Sequence, residues 1–163
     1  MISDIQKKVL FVCLGNICRS PTAHGVFATM VEERGLSSVI EVDSCGTGGW
    51  HVGSPPDRRA VAEAAARGYD LSPLRARQFR PVDFQRFDFI LAMDHSNLAD
   101  LQALRPRQFA GHLGLFLDFA PRREEREVPD PYYGGDDGFA HVLDLVEEAS
   151  LGLLQEIGRA GAD

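Results

Sequence analysis

Residues 9–22 read Val9-Leu10-Phe11-Val12-Cys13-Leu14-Gly15-Asn16-Ile17-Cys18-Arg19-Ser20-Pro21-Thr22. Val9 to Val12 form a continuous apolar run with two valines, the pattern of a strand buried on both faces of a parallel sheet. Ser20 followed by Pro21 reads as an N-cap with proline at the first helical position. Ala23, Val26, Phe27, Met30 and Val31 then recur at helical spacing until Gly35 stops the helix. The polar turn between strand and helix, Cys13 to Arg19, lies where open α/β sheets bind ligands, outside the carboxyl end of a strand.

Outward from this unit the rhythm repeats. Val39 to Cys45 reads as a second strand, Gly46 to Gly53 as a glycine-rich turn, and Pro56 to Arg67 as a helix ended by Gly68. Phe87 to Met93 is a third strand, Ser96 to Leu104 a short helix closed by Pro106, and Leu113 to Phe119 a fourth strand. The last helix spans about Phe139 to Ile157. Strands alternating with helices predict an α/β, single-domain three-layer sandwich over residues 1–163, its four-stranded parallel sheet covered by helices on both faces. The one long irregular stretch, Ala120 to Asp137, is of the kind that usually carries function.

Composition narrows the chemistry. The chain has 163 residues, 44% hydrophobic and 25% charged, within the globular range. Twenty-four acidic against 17 basic residues leave a formal charge of -7, which argues against nucleic-acid wrapping and polybasic membrane binding. No apolar run is long enough for a membrane span, and Met1 to Lys8 lacks the apolar stretch of a signal peptide, so a cytoplasmic location is expected. Cys13, Cys18 and Cys45 have the wrong parity for a secreted disulfide framework. Lysine occurs only at positions 7 and 8, so no G-x-x-x-x-G-K-[ST] loop can follow the first strand. Gly46, Gly48 and Gly49 fail the dinucleotide fingerprint because its third glycine falls on His51. The five histidines show no paired ligand spacing, and neither metal nor cofactor is expected.

The turn after the first strand suits an oxyanion. Five residues between Cys13 and Arg19 let the amides of Leu14, Gly15, Asn16, Ile17 and Cys18 converge as a nest at the positive end of the following helix. Arg19 adds a planar fork for two oxygens, which lysine cannot reproduce. The same field favours the thiolate of Cys13, making it a nucleophile. Taken alone, a cysteine separated from an arginine by five residues is more often a small buried hydrophobe. Here strand, glycine, gap, arginine and helix all agree.

The stretch Phe11 to Thr22, FVCLGNICRSPT, resembles the signature of the low-molecular-weight protein tyrosine phosphatases. The resemblance extends through Asp43-Ser44-Cys45-Gly46-Thr47, where the family usually has alanine for Cys45, and through Trp50, Gly53, Ala76-Arg77-Gln78, Met93 to Leu98 and Asp130 to Gly134. It implies Cys13 as nucleophile, Arg19 as phosphate clamp, Ser20 as donor to the thiolate and Asp130 as general acid. Asn16 would hold the loop's shape together with Ser44. Trp50, Tyr132 and Tyr133 would wall the pocket around a flat phosphorylated ring. Ile17 favours phosphotyrosine, since relatives selective for phosphoarginine carry threonine there. Leu74 departs from the pattern, for the family often has a loop-supporting histidine at that place. The chemistry supports Asp130 independently, because a leaving ester oxygen needs a proton and flanking Pro129 and Pro131 restrict the carboxyl group that supplies it.

The resemblance implies a tyrosine-phosphorylated protein as substrate, acted on by a monomer or weakly self-associating chain. An arsenate reductase of similar fold would need two further cysteines near the middle of the chain, and none follows Cys45. A non-catalytic phosphoprotein-binding regulator would need neither Cys13 nor Asp130. Cys18, five positions beyond Cys13, is expected to trap an oxidised Cys13 as a disulfide, with Cys45 as a competing partner.

Overall fold

The computed structural model describes residues 7–132 and 136–162, with side chains described for 7–132 and 137–158. Its central strand β1, Lys7–Cys13, explains the apolar run: Val9, Leu10, Phe11 and Val12 are wholly buried. β1 pairs in parallel with β2, Ile40–Gly46, on one side and with β3, Phe89–Ala92, on the other. β4, His112–Leu115, adds to β3, giving the parallel order β2-β1-β3-β4.

Alternation along β1 serves two cores. Val9 and Phe11 face the layer of α1, Arg19–Glu33, and α5, Asp136–Ala162. The Phe11 ring meets Phe27 and Phe116 edge-on, at centroid separations of 5.7 and 4.9 Å. Leu10 and Val12 face the other way, toward Phe79, Phe84, Phe109 and Leu101. The helices there are α3, Asp83–Arg86, and α4, His95–Leu104, while α2, Arg58–Ala66, packs on the α5 side. Three layers are therefore present, as the sequence implied.

Boundaries moved for identifiable reasons. α1 begins at Arg19 with Cys18 in the cap position, so Ser20 and Pro21 sit inside the first turn. Proline is harmless there, because first-turn N–H groups have no intrahelical partner. α2 starts after Asp57 rather than at Pro56, since the Asp57 carboxylate accepts the Arg59 N–H. Asp94 caps α4 in the same way through Asn97 and starts it before Ser96. β3 is shorter than Phe87 to Met93. The fourth strand stops at Leu115, where its ladder partner Ala92 ends β3, and Phe116–Phe119 turns instead into a 3₁₀ helix. α5 extends beyond Phe139 to Ile157 at both ends.

The strand order places the site. From β1 the chain crosses to β2 on one side, and β3 and β4 build the other, so the crevice at the carboxyl ends of β1 and β3 is the topological switch point. Cys13 ends β1 there, and Asp94 follows β3 by two residues.

Candidate active site

The turn after β1 wraps the Cys13 sulfur. The Ser20 hydroxyl lies 2.9 Å from Cys13 Sγ, and the Asn16 N–H donates to the same sulfur at 3.3 Å. Asn16 is the one described non-glycine residue with positive φ, at 58°, where an asparagine is among the tolerated side chains. Its amide holds it in place: Nδ2 donates to Ser20 Oγ at 2.8 Å, and Oδ1 accepts the Arg77 N–H at 3.0 Å. The brace on Oδ1 is therefore a backbone amide from the segment that follows Leu74. Gly46, at the end of β2, lets the loop pass, since a Cβ there would stand 2.6 Å from the Leu14 carbonyl oxygen.

Arg19 is buried and rigidly held. Its Nη1 donates to Asp94 Oδ2 at 2.7 Å and to the Val128 carbonyl at 3.0 Å. Nη2 lies 4.0 Å from Asp130 Oδ2. Asp130 is partly open to solvent, and its Oδ1 accepts the Tyr132 N–H at 3.0 Å, which leaves Oδ2 toward Arg19. Val128 is fully buried and bonded through its N–H to the Met93 carbonyl, so the start of the acid-bearing loop is fastened to the end of β3.

A recess of about 180 Å³ joins these groups, lined by Cys13, Leu14, Gly15, Ile17, Cys18, Arg19, Trp50, His51, Asp130 and Tyr132. Trp50 is 73% exposed and Tyr132 40%, and both flank this opening. Tyr133 lies outside the described residues. A larger recess of about 770 Å³ opens near Phe87, Asp88, Phe109 and His112. It sits at the amino ends of the strands, the wrong end of a parallel sheet for a ligand site, and no cysteine, serine or threonine lines it.

One expected contact is corrected. Ser44 does not meet Asn16; its hydroxyl lies 2.9 Å from His24 Nδ1. Ser44 pairs in register with Phe11, so its side chain is turned to the α1 face where His24 stands, away from the loop beyond the strand end. Burial pushes the His24 imidazole toward its neutral form. The three cysteines are free thiols. Cys13 and Cys18 share one core and Cys45 belongs to the other, which favours Cys18 over Cys45 as the partner of Cys13. Burial pushes the Cys18 thiol up to about 12.

Three supporting groups escaped the sequence reading. Asp94 holds Arg19 while capping α4; a carboxylate just past the strand beside β1 was the available signal. Arg77 is gripped by buried Asp83 through both terminal nitrogens, at 3.1 Å each, and by Asp43 at 3.0 Å. Asp57 and Arg59 join the two catalytic loops. The Asp57 N–H donates to the Ile17 carbonyl at 2.8 Å, Asp57 Oδ2 accepts Arg59 Nη2 at 3.0 Å, and that same Nη2 donates to the Tyr132 carbonyl at 3.0 Å. The guanidinium also lies over the Tyr132 and Phe139 rings, at 5.5 and 4.7 Å.

Residues 8–162 match the model of the low molecular weight phosphotyrosine protein phosphatases. The chain belongs to this family. A low molecular weight protein-tyrosine-phosphatase of Streptomyces coelicolor is 46% identical over 153 residues, covering 92% of this chain and 93% of that relative. A low molecular weight phosphotyrosine protein phosphatase of Schizosaccharomyces pombe is 43% identical over 158 residues, covering 96% and 99%. A crystal structure of a protein tyrosine phosphatase from Entamoeba histolytica superposes with a TM-score of 0.91 at 37% identity, covering 96% of this chain and 99% of that one. Within this family fold, the Arg59 clasp fastens the aspartate loop to the cysteine loop through α2.

Arg59→Met keeps an apolar stem over Phe139 and removes the bond to Tyr132. Amide hydrogen exchange should then rise about tenfold at Asp130 and Tyr132, because local opening no longer breaks that bond. Exchange at Val128, which Met93 holds, should stay as in the parent.

Proposed function

We propose that this chain hydrolyses phosphotyrosine in proteins through a cysteinyl-phosphate intermediate. The observation that carries the reading is the Cys13 sulfur, bonded by Ser20 and the Asn16 amide, in one recess with Arg19 and Asp130. In the first step the Cys13 thiolate attacks phosphorus in line and the P–O ester bond breaks. Asp130 Oδ2, the oxygen not engaged by Tyr132, delivers its proton to the leaving phenolate. In the second step water attacks phosphorus, its proton passes to the Asp130 carboxylate, and the S–P bond breaks to restore the thiolate and release phosphate. The loop amides and the N–H groups of Arg19 that Asp94 and Val128 leave free hold the equatorial oxygens throughout.

Specificity for a flat ring is supported by the narrow recess and by its exposed aromatic sides, Trp50 and Tyr132. Ile17 at the rim favours phosphotyrosine over phosphoarginine. We read the chain as acting as a monomer or in weak self-association, because Cys13, Arg19 and Asp130 line one recess of a single chain. Among the described residues no helix is long and apolar enough to cross a membrane. A cytoplasmic setting suits a mechanism that needs free thiols.

Asp130→Asn should slow phosphotyrosine hydrolysis by about 100- to 10,000-fold, the usual worth of a general acid. An aryl phosphate with a very acidic phenol should lose far less, because its leaving oxygen needs no proton. The check is a plot of rate against leaving-group pKa for both proteins; parallel slopes would remove Asp130 from the role, and hydrolysis of phosphoarginine in preference to phosphotyrosine would overturn the substrate assignment.

The Cys13 and Cys18 thiols further support reversible oxidation by peroxide. Peroxide converts the Cys13 thiolate to a sulfenic acid, and attack by the Cys18 sulfur forms the disulfide and expels water. Burial keeps Cys18 protonated, which slows the second step. Peptide mapping after peroxide should find a Cys13–Cys18 bond, and Cys18→Ser should recover activity poorly on adding dithiol. Equal recovery in variant and parent would contradict the trap.

A further inference from the structure

Beyond Trp50 the cleft continues into a second recess of about 240 Å³, to which the hydrolytic reading assigns no role. It shares Leu14 and Trp50 with the phosphate recess, so the two recesses are neighbours. Trp50 lines both. It lies directly on the backbone at Gly48, where any Cβ would collide with the ring, and the Gly48 N–H is fixed to the Leu14 carbonyl at 2.9 Å. The ring is thus a seated platform although it is largely exposed.

The second compartment is amphipathic. Phe79 and the fully buried Leu101 are its inner apolar lining, and Leu104, 54% exposed, extends that surface outward. Asp100 lies one helical turn before Leu104 on α4 and is the one charged residue among those lining it. Among the described residues Asp100 forms no ion pair.

We propose that this recess is a specificity subsite for a basic side chain, arginine or lysine, next to the phosphotyrosine of the substrate protein; the proposal rests on the phosphatase reading. Such a side chain matches each part of the recess. Its aliphatic stem covers Leu14 and Leu104, as long cationic side chains commonly cover apolar surface. Its charged head meets the unpaired Asp100 carboxylate, and the exposed Trp50 indole attracts a guanidinium. An apolar occupant would leave the exposed Asp100 carboxylate unpaired, and an acidic one would be repelled by it. Because Leu14 and Trp50 line both recesses, one extended peptide can reach both, its phosphate in the first and its basic side chain in the second.

The test is a set of phosphotyrosine peptides carrying Arg, Lys, Leu, Ala or Glu at each neighbouring position in turn. At one position Arg and Lys should exceed Glu in kcat/KM by about fivefold, the size of an exposed ion pair with a cation–π contact. Asp100→Asn should bring that Arg-to-Glu ratio near one, and Asp100→Arg should reverse it. Each ratio is taken within one protein, so a loss common to all peptides cancels. A flat profile, a preference for Leu over Arg, or an Arg preference that survives Asp100→Asn would overturn the subsite. Phosphate release from p-nitrophenyl phosphate separates the two levels: a flat profile in a protein that releases phosphate defeats the subsite alone, whereas no release defeats the phosphatase reading beneath it.

Discussion

Asn16 stands at φ 58° with both ends of its side-chain amide engaged, and the loop around Cys13 depends on that one residue. A non-glycine residue held in the left-handed region costs of order 1–3 kcal/mol and persists only where its surroundings over-determine it. Here they do. Oδ1 is fixed by the amide of Arg77, whose guanidinium is clamped by Asp83 and Asp43, and whose carbonyl accepts the Gly46 N–H at 2.9 Å. Nδ2 reaches Ser20, which touches Cys13. A line of polar contacts therefore runs from a buried carboxylate on α3 through Arg77 and Asn16 to the sulfur. Asp83 is 1% exposed, and a carboxylate so placed is tolerable only because a bidentate guanidinium and the Arg80 N–H satisfy it.

The other half of the site is built differently. Asp130 lies on a partly exposed loop rather than on a strand, and its position comes from fastenings at both ends. Val128 is bonded to the end of β3, while Arg59 reaches Tyr132 from α2. Rigid anion loop and clasped acid loop thus meet over the crevice between β1 and β3, and Arg19 spans them, with Nη1 on Asp94 and Val128 and Nη2 near Asp130.

Much of this was legible in the sequence because it is encoded locally. The apolar run Val9 to Val12, the helix stops at Gly35 and Gly68, with φ of 70° and 90°, and the Cys13–Arg19 spacing each follow from short stretches of chain. What escaped depends on tertiary geometry. α3 is a single turn, too short to show a period, and is held by Asp83 and its contacts with Arg77. Phe116 to Phe119 is apolar enough for a strand, but β3 offers no further partner. The Ser44 contact failed because strand register, which the sequence does not display, turns that hydroxyl to His24. Asp94 and Arg59 resemble any helix-start carboxylate or surface arginine until the fold brings Arg19 and Tyr132 to them.

The proposed mechanism requires the phosphoryl group to pass through a covalent bond to Cys13. Acid quenching during turnover of an aryl phosphate with a very acidic phenol, followed by mass spectrometric mapping, tests it most directly. A phosphoryl group is expected on the peptide containing Cys13, at higher occupancy in Asp130→Asn, where the base that activates water is gone. A phosphoryl group on another residue, or none on Cys13 in either protein during turnover, would contradict it.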